Sequence, residues 1–138
     1  MKRIASGPST TSYNLALLVI RVWFGMMLFS RHGFDKLMNF SRLSTRFADP
    51  LHVGSKASLV LVILAEVVCS LLVVVGLGTR VAAAIVVIDL GVAFAVVHHF
   101  RLVGQGNGEM AFMYIGGFLA LIIAGAGRWS IDALRHRG

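Results

Sequence analysis

The chain has 138 residues, of which 57% are hydrophobic and 14% are charged, and its net charge is +7. Soluble domains carry about 25% charged residues, so this composition excludes an ordinary soluble domain and indicates a lipid environment. The basic residues lie between long apolar runs rather than together on one polar face. This excludes a nucleic-acid-binding domain and is typical of the loops of a membrane protein.

Four apolar runs follow a polar N-terminal segment, residues 1–14, which is predicted to be a mostly disordered tail. The predicted spans are residues 15–34, 57–77, 81–99 and 109–126. Each is about long enough to cross the ~30 Å hydrocarbon core as a helix, and a helix satisfies its own backbone hydrogen bonds in lipid. The basic residues 133–138 are predicted to form a C-terminal tail.

The predicted fold is all-α, an integral membrane four-helix bundle over residues 15–132 with antiparallel, up-and-down topology. The second and third spans are joined by only a short turn around residue 79, which makes them antiparallel neighbours. Gly91 in the third span and Gly116 and Ala120 in the fourth are expected to let helices approach closely. The alternative is a soluble bundle, but so short a chain cannot cover four helices that are apolar on all sides.

The segment between the first two spans, residues 38–56, has apolar and basic side chains at helical spacing. Phe40, Leu43 and Phe47 share one face, with Arg42 and Arg46 on the other. The pattern predicts a short interfacial helix after the first span, and an irregular loop remains the alternative. Basic residues divide equally between the two sides of the membrane. Because Arg31 and Lys36 also suit a functional role, both termini are predicted to be cytoplasmic.

Three charged residues lie well inside the predicted spans, away from their ends: Arg21 in the first, Glu66 in the second and Asp89 in the third. Each costs roughly 2.5–3.5 kcal/mol at a helix centre on insertion scales, so each is expected to face the bundle interior and find a partner. Pairing of Arg21 with Glu66 is the first prediction, and pairing with Asp89 stays open. Such a pair either fixes helix register or belongs to a ligand or proton site.

The first helix carries a second polar pattern. Arg21, Gly25 and His32 lie on one face because eleven residues make about three turns, and Lys36 extends that face. His32 can exchange a proton near neutral pH, and Lys36 can hold an anion or a quinone oxygen. The alternative is that Lys36 only extends to the membrane interface.

The segment before the fourth span adds His98 and Glu109, which lie on the same side of the membrane as His32. These side chains are expected to meet Lys36 at one mouth of the bundle. No metal is predicted, because a metal site needs three or four convergent ligands and no spacing here specifies them. Glu109 also suits a helix N-terminus, where the helix dipole favours an acid.

Four segments of the chain together carry a resemblance. They are RVWFGMMLFSRHGFDKL from Arg21, AEVVCSLLVVVGLGTR from Ala65, HHFRLVGQGNGEMAFMY from His98 and GAGRWSID from Gly125. With this order and spacing the chain, from about Leu15 to Asp132, resembles the DoxX family of small four-helix bacterial membrane proteins. That family is similar to the DoxD subunit of thiosulfate:quinone oxidoreductase.

The resemblance implies a bacterial inner-membrane protein associated with quinone-linked thiosulfate or thiol oxidation and oxidative-stress defence. On this basis His32, Lys36 and Glu66 are predicted to be catalytic. The predicted substrate-binding residues are Arg21, Gly33, Asp89, His98 and Glu109, of which Asp89 lies outside the family pattern. The lone Cys69 argues against a thiol–disulfide relay.

Two functions from different classes are compatible with these features. The first is a redox subunit that binds a quinone between its helices and receives electrons from a membrane or soluble partner. The alternative is a non-catalytic anchor or assembly subunit for a partner enzyme. A small transporter is disfavoured because no inverted repeat is visible. The expected partners are the lipid bilayer, a redox protein and further copies of the chain.

Overall fold

The computed structural model describes residues 10–135, which form helices and contain no strand. The helices are α1 (Thr10–Met38), α2 (Phe40–Leu43), α3 (Ser55–Val75), α4 (Thr79–Val97), α5 (Glu109–Ala124) and α6 (Ile131–Arg135). The predicted all-α class is therefore confirmed. Helices α1, α3 and α4 are long and apolar enough to cross a membrane. Helix α5 is apolar but shorter, with 16 residues or about 24 Å at 1.5 Å per residue.

Both predicted tails are partly helical. Helix α1 begins at Thr10, inside the predicted N-terminal tail, and α6 extends into the predicted C-terminal one, while residues 1–9 and 136–138 lie outside the described part. Asn14 explains the early start of α1, because its amide donates to the Thr10 carbonyl at 2.6 Å and accepts from the Arg128 backbone N–H at 2.7 Å. This buried side chain ties the start of α1 to the segment before α6.

The four longer helices pack around one apolar core. Helix α1 contacts α3 and α5, and α4 contacts the same two helices. The Phe24 ring meets the edges or faces of the Tyr114 and Phe118 rings, with centroids 6.0 and 6.4 Å apart. The fully buried apolar side chains come from all four helices: Leu28, Leu59, Val73, Ala83, Val86, Phe118 and Leu121.

Helices α1 and α3 approach each other most closely at two glycines of α1. A Cβ at Gly25 would lie 2.9 Å from the Ser70 carbonyl oxygen, and a Cβ at Gly33 would lie 2.6 Å from the Glu66 carbonyl oxygen. The glycines expected to do this from spacing, Gly91 and Gly116, have open space beside them instead. That prediction was wrong because small-residue spacing does not say which helix face meets a neighbour.

The turn from α3 to α4 is held by the C-terminal helix. The Asp132 carboxylate accepts from the backbone N–H groups of Gly78 at 2.7 Å and Thr79 at 3.0 Å, and the Asp132 N–H donates to the Gly76 carbonyl at 2.8 Å. Partial burial opposes ionisation of Asp132, but the hydrogen bonds from Thr79 and Gly78 outweigh it and hold its pKa below the usual range. Asp132 therefore satisfies amides that would otherwise be unpaired at the start of α4.

Replacing Asp132 by alanine is expected to lower the free energy of unfolding by about 1 kcal/mol near neutral pH, as loss of a helix N-cap does. The lowered folded-state pKa means that this stability is complete above the unfolded value of about 3.9 and is lost as the pH falls through the folded value. Unfolding in detergent, followed across pH, measures the difference. Glu109→Ala is the comparison, because that exposed acid at the start of α5 interacts with the helix dipole but makes no side-chain hydrogen bond within residues 10–135, so a smaller effect is expected. A difference between wild type and Asp132→Ala that persists in strong acid would contradict the role.

Candidate functional site

Three of the long helices contain a π-helical segment, where the chain winds one residue wider than an α-helix. These segments are Phe29–Gly33 in α1, Leu64–Cys69 in α3 and Ala93–Val97 in α4. All three contribute to the wall of the same cavity, through His32, Glu66 and Ala93 among others. Single π-helical turns within α-helices occur frequently at functional sites. Because three of them meet at this cavity, we take the cavity as the candidate functional site.

The cavity has a volume of about 630 Å³, within the range of small-molecule sites. Most of its wall is apolar, with side chains from α1, α3, α4, α5 and the segment before α3. The polar and ionisable side chains that line it are His32, Lys36, Ser58, Glu66, Asp89, His98, Asn107 and Tyr114. An apolar cavity with a few convergent polar groups is the usual form of a ligand site.

An ion pair lies at the centre of these polar groups. The Lys36 ammonium donates to the Glu66 carboxylate at 2.5 Å, with the two side chains 20% and 7% exposed. Asp89 lines the same cavity and makes no hydrogen bond with any residue between 10 and 135. Two carboxylates and one ammonium therefore share a cavity whose remaining wall is largely apolar.

The predicted ion pair between Arg21 and Glu66 is wrong. Arg21 lies beside Gly76 at the end of α3, ten residues and about 15 Å along the helix from Glu66. Glu66 pairs instead with Lys36, which α1 carries to the level of Glu66. Which residues of two packed helices meet depends on how far one helix is shifted along its axis relative to the other. Residue spacing within a single helix does not determine that shift.

Arg21 has a structural position away from the cavity. Its Nη2 donates to the Trp129 carbonyl at 2.6 Å, and Asp132 attracts it electrostatically. The side chain is 1% exposed, and its Nε and Nη1 make no hydrogen bond within the described part of the chain. Arg21 thus joins α1 to the segment before α6, and the structure does not bring it to the other predicted site residues.

His32 leaves the face of α1 that spacing predicted it to share with Arg21 and Gly25, and Gly33 lies against α3 in its place. The π-helical segment adds a residue to this turn, so that Gly33 packs against the Glu66 backbone. His32 points instead to the cavity and meets the Tyr114 ring edge-on, with centroids 5.7 Å apart. Gly33 therefore positions Glu66 by close contact, while His32 offers its ring to the cavity.

His98 and Glu109, the two site residues predicted around the start of the fourth span, do not lie in the same site. His98 lines the cavity, and its Nδ1 lies 2.8 Å from the Gly106 carbonyl oxygen. Since a carbonyl can only accept, Nδ1 carries the proton and Nε2 of the neutral ring is left as an acceptor. Glu109 is exposed and does not line the cavity. It begins α5, as expected of an acid at a helix N-terminus.

The segment after α1 lies over the cavity. A short helix is present there, the single turn α2, while residues 44–54 contain no helix, and the position of α2 at the membrane interface stays a prediction. Phe47, Ala48, Pro50 and Leu51 from this segment line the cavity. The loop is therefore part of the site.

Asp49 fixes this loop to the start of α3. Its carboxylate accepts from the backbone N–H groups of Val53 and Gly54 at 3.0 and 2.7 Å and from the Ser58 hydroxyl at 2.7 Å. The hydrogen bond from Ser58, followed by those from Gly54 and Val53, holds the pKa of Asp49 below its usual range. An ionised Asp49 therefore holds the apolar residues around it in place at neutral pH.

Tyr114, Ser58 and Asn107 were not predicted as site residues. Tyr114 is 5% exposed, and its hydroxyl makes no hydrogen bond within residues 10–135. A tyrosine within an apolar span is a usable signal, since its hydroxyl needs a partner when buried. Ser58 and Asn107 lie at span ends, where polar residues are ordinary, and carry no such signal. No three His, Cys, Asp or Glu side chains of the described residues are arranged to hold a metal ion.

Comparison with known proteins agrees with the resemblance found in the sequence. The DoxX family model matches residues 16–99, more than half of the chain. The chain is also 33% identical over 128 residues to an uncharacterized protein of Haemophilus influenzae (strain Rd), covering 87% of this chain and 89% of that protein. No solved structure matches the chain significantly. With its long apolar helices and this match over most of the first three of them, the chain is a multi-pass membrane protein that belongs to the DoxX family.

Proposed function

We propose that this protein is a quinone-linked redox subunit that crosses the bacterial inner membrane with four antiparallel helices, α1, α3, α4 and α5. Local thinning of the bilayer accommodates a helix as short as α5. An even number of spans places both termini on one side, the cytoplasm in this proposal. The molecule works with a redox partner and assembles with further copies of itself.

The observation that carries the proposal is the Lys36–Glu66 ion pair inside an apolar cavity. A buried charge pair is costly in lipid and usually marks a functional site. The cavity volume of about 630 Å³ has room for a quinone ring, and the apolar wall suits its faces. The cavity also offers donors to carbonyl oxygens: the Lys36 ammonium, which keeps N–H groups beyond the one bonded to Glu66, and the Tyr114 hydroxyl.

Each polar group has a distinct task in this proposal. On reduction a quinone takes up electrons and an equal number of protons. Lys36 and Tyr114 bind and orient the carbonyl oxygens. Glu66 and Asp89 hold protons at their carboxylate oxygens inside the apolar cavity and pass them on. His32 exchanges protons at its ring nitrogens.

Electrons come from a partner protein, which oxidises the donor. Thiosulfate or a thiol as that donor rests on the family resemblance alone. The donor loses the electrons that the quinone gains, and the protons taken up come through the cavity side chains. The residues of this chain are thus assigned to binding and proton transfer, and electron supply belongs to the partner.

Quinone binding to the full-length protein in nanodiscs tests the proposal. Lys36→Ala and Glu66→Ala are each expected to lower the affinity for ubiquinone by about tenfold or more, equivalent to 1.4 kcal/mol, because each removes a group that faces the ring. Lys56→Ala and Glu109→Ala are matched controls, because both side chains are exposed and outside the cavity. If folded wild-type protein binds no quinone, the redox function is wrong. The anchor or assembly function then remains, to be tested by co-purification of a partner enzyme.

A further inference from the structure

The cavity opens on the outer surface of the helices, between α3 and α4. Leu61 of α3 and Ile85 and Ile88 of α4 line it, yet they are 49%, 43% and 67% exposed. These exposed lining residues of two neighbouring helices mark an opening between α3 and α4. All three are apolar and lie within helices long and apolar enough to cross a membrane, so this opening faces lipid.

The loop before α3 covers another part of the cavity. Phe47, Pro50 and Leu51 contribute apolar side chains there, and the hydrogen bonds of Asp49 to Val53, Gly54 and Ser58 hold them in place. The connecting loop thus presents an apolar cover over the cavity, while the gap between α3 and α4 leads directly into the hydrocarbon region.

The polar part and the opening of the cavity differ in chemistry. Lys36, Glu66 and Asp89 line the cavity, with Glu66 only 5% exposed, whereas the three exposed side chains between α3 and α4 are apolar. The complementary ligand has a polar head that accepts hydrogen bonds and a long apolar tail. A membrane already concentrates such molecules, and their tails lose nothing on passing from lipid to an apolar groove.

We propose that the ligand is a long-chain quinone that enters from the bilayer between α3 and α4, with its ring at Lys36 and its tail leaving past Leu61, Ile85 and Ile88. This inference rests on the proposed function and adds the route by which the quinone enters and the position of its tail. The tail lies at the opening and continues into lipid. Only the tail of the quinone contacts the opening in this proposal. A substitution at the opening therefore affects binding of a quinone with a tail and not binding of the ring alone.

Ile88→Trp tests the route by filling the opening, and Val81→Trp is its control. The two positions are two turns apart on the same face of α4 and are 67% and 69% exposed, but Val81 does not line the cavity. In nanodiscs, Ile88→Trp is expected to lower the affinity for ubiquinone with its full isoprenoid tail by about tenfold. Its affinity for ubiquinone without a tail, and both affinities of Val81→Trp, are expected to stay at the wild-type value.

Wild-type protein provides a second measurement that does not depend on the folding of a variant. A ubiquinone carrying a photoreactive group along its tail is expected to label the segments around residues 61 and 85–88. Labelling elsewhere, or equal affinity of Ile88→Trp and Val81→Trp for the long-chain ligand, would overturn the route while leaving quinone binding intact. Equal loss of both ligands in Ile88→Trp would also overturn it. Absence of any quinone binding to wild type would remove the proposed function itself.

Discussion

Replacing Gly33 by alanine is expected to lower the free energy of unfolding by about 1–3 kcal/mol, as overpacking in a tight interior does, and to abolish quinone binding. The added Cβ would lie 2.6 Å from the Glu66 carbonyl oxygen and 2.8 Å from the carbonyl carbon. Both are backbone atoms and cannot turn aside, so α3 must move away from α1. That movement separates Glu66 from Lys36 and alters the cavity that both line.

Gly116→Ala is the matched control for Gly33→Ala. Gly116 also lies within an apolar helix, α5, but nothing lies within 4 Å of a Cβ there. Alanine in place of a helical glycine is expected to stabilise the protein by roughly 0.5–1 kcal/mol. Unfolding in detergent and ubiquinone binding in nanodiscs are measured for both variants. A Gly33→Ala protein with wild-type stability and affinity would show that the close approach of α1 and α3 does not position the ion pair.

Part of the site was predictable because a charged side chain in the hydrocarbon region has a high free-energy cost. Glu66 and Asp89 attract notice because each stands alone in an apolar run, and both line the cavity. His32 and Lys36 were predicted to meet His98 and Glu109 at one mouth of the bundle, and the structure brings all of these except Glu109 to the same cavity. This inference needed only the order of the spans, since alternate spans carry the chain back to the same end.

The pairing itself was not predictable in the same way. Whether Arg21 or Lys36 pairs with Glu66 depends on the axial shift of α1 relative to α3. That shift follows from the close approach at Gly33 and from the π-helical segments, which have no simple signature in local sequence. The start of α1 was likewise predicted too late in the chain. Its polar first turn is stabilised by the contact of Asn14 with Arg128, which is far away in the sequence.

The segment before α6 carries part of the sequence resemblance but does not line the cavity, and its contacts are structural. Arg21, Trp129 and Asp132 join α1, α6 and the turn before α4 at the opposite end of the molecule. Such contacts fix how the helices are set against one another. The resemblance in this segment, which lies beyond the residues 16–99 that the family model matches, therefore falls on residues that hold the helices together.

Replacing Lys36 by methionine is expected to lower the free energy of unfolding by about 3 kcal/mol, near the lower end for a broken buried ion pair. The cost arises because Glu66, at 7% side-chain exposure, is left with an unpaired carboxylate in an apolar cavity. A proton taken up by Glu66 limits the cost. Unfolding by denaturing detergent measures it, with Lys56→Met as the control, because Lys56 is an exposed lysine at the start of α3.

The double variant Lys36→Met/Glu66→Met separates folding from function. Replacing a whole buried ion pair by apolar side chains of similar size is often neutral or stabilising, so the double variant is expected to regain most of the stability lost in Lys36→Met. Quinone binding is expected to stay lost, because neither methionine can donate to a carbonyl oxygen or hold a proton. A double variant that is stable and still binds quinone with wild-type affinity would show that the pair only sets the packing of α1 against α3. A double variant that is stable but does not bind quinone would show that the two charged side chains are needed for ligand binding and not for folding.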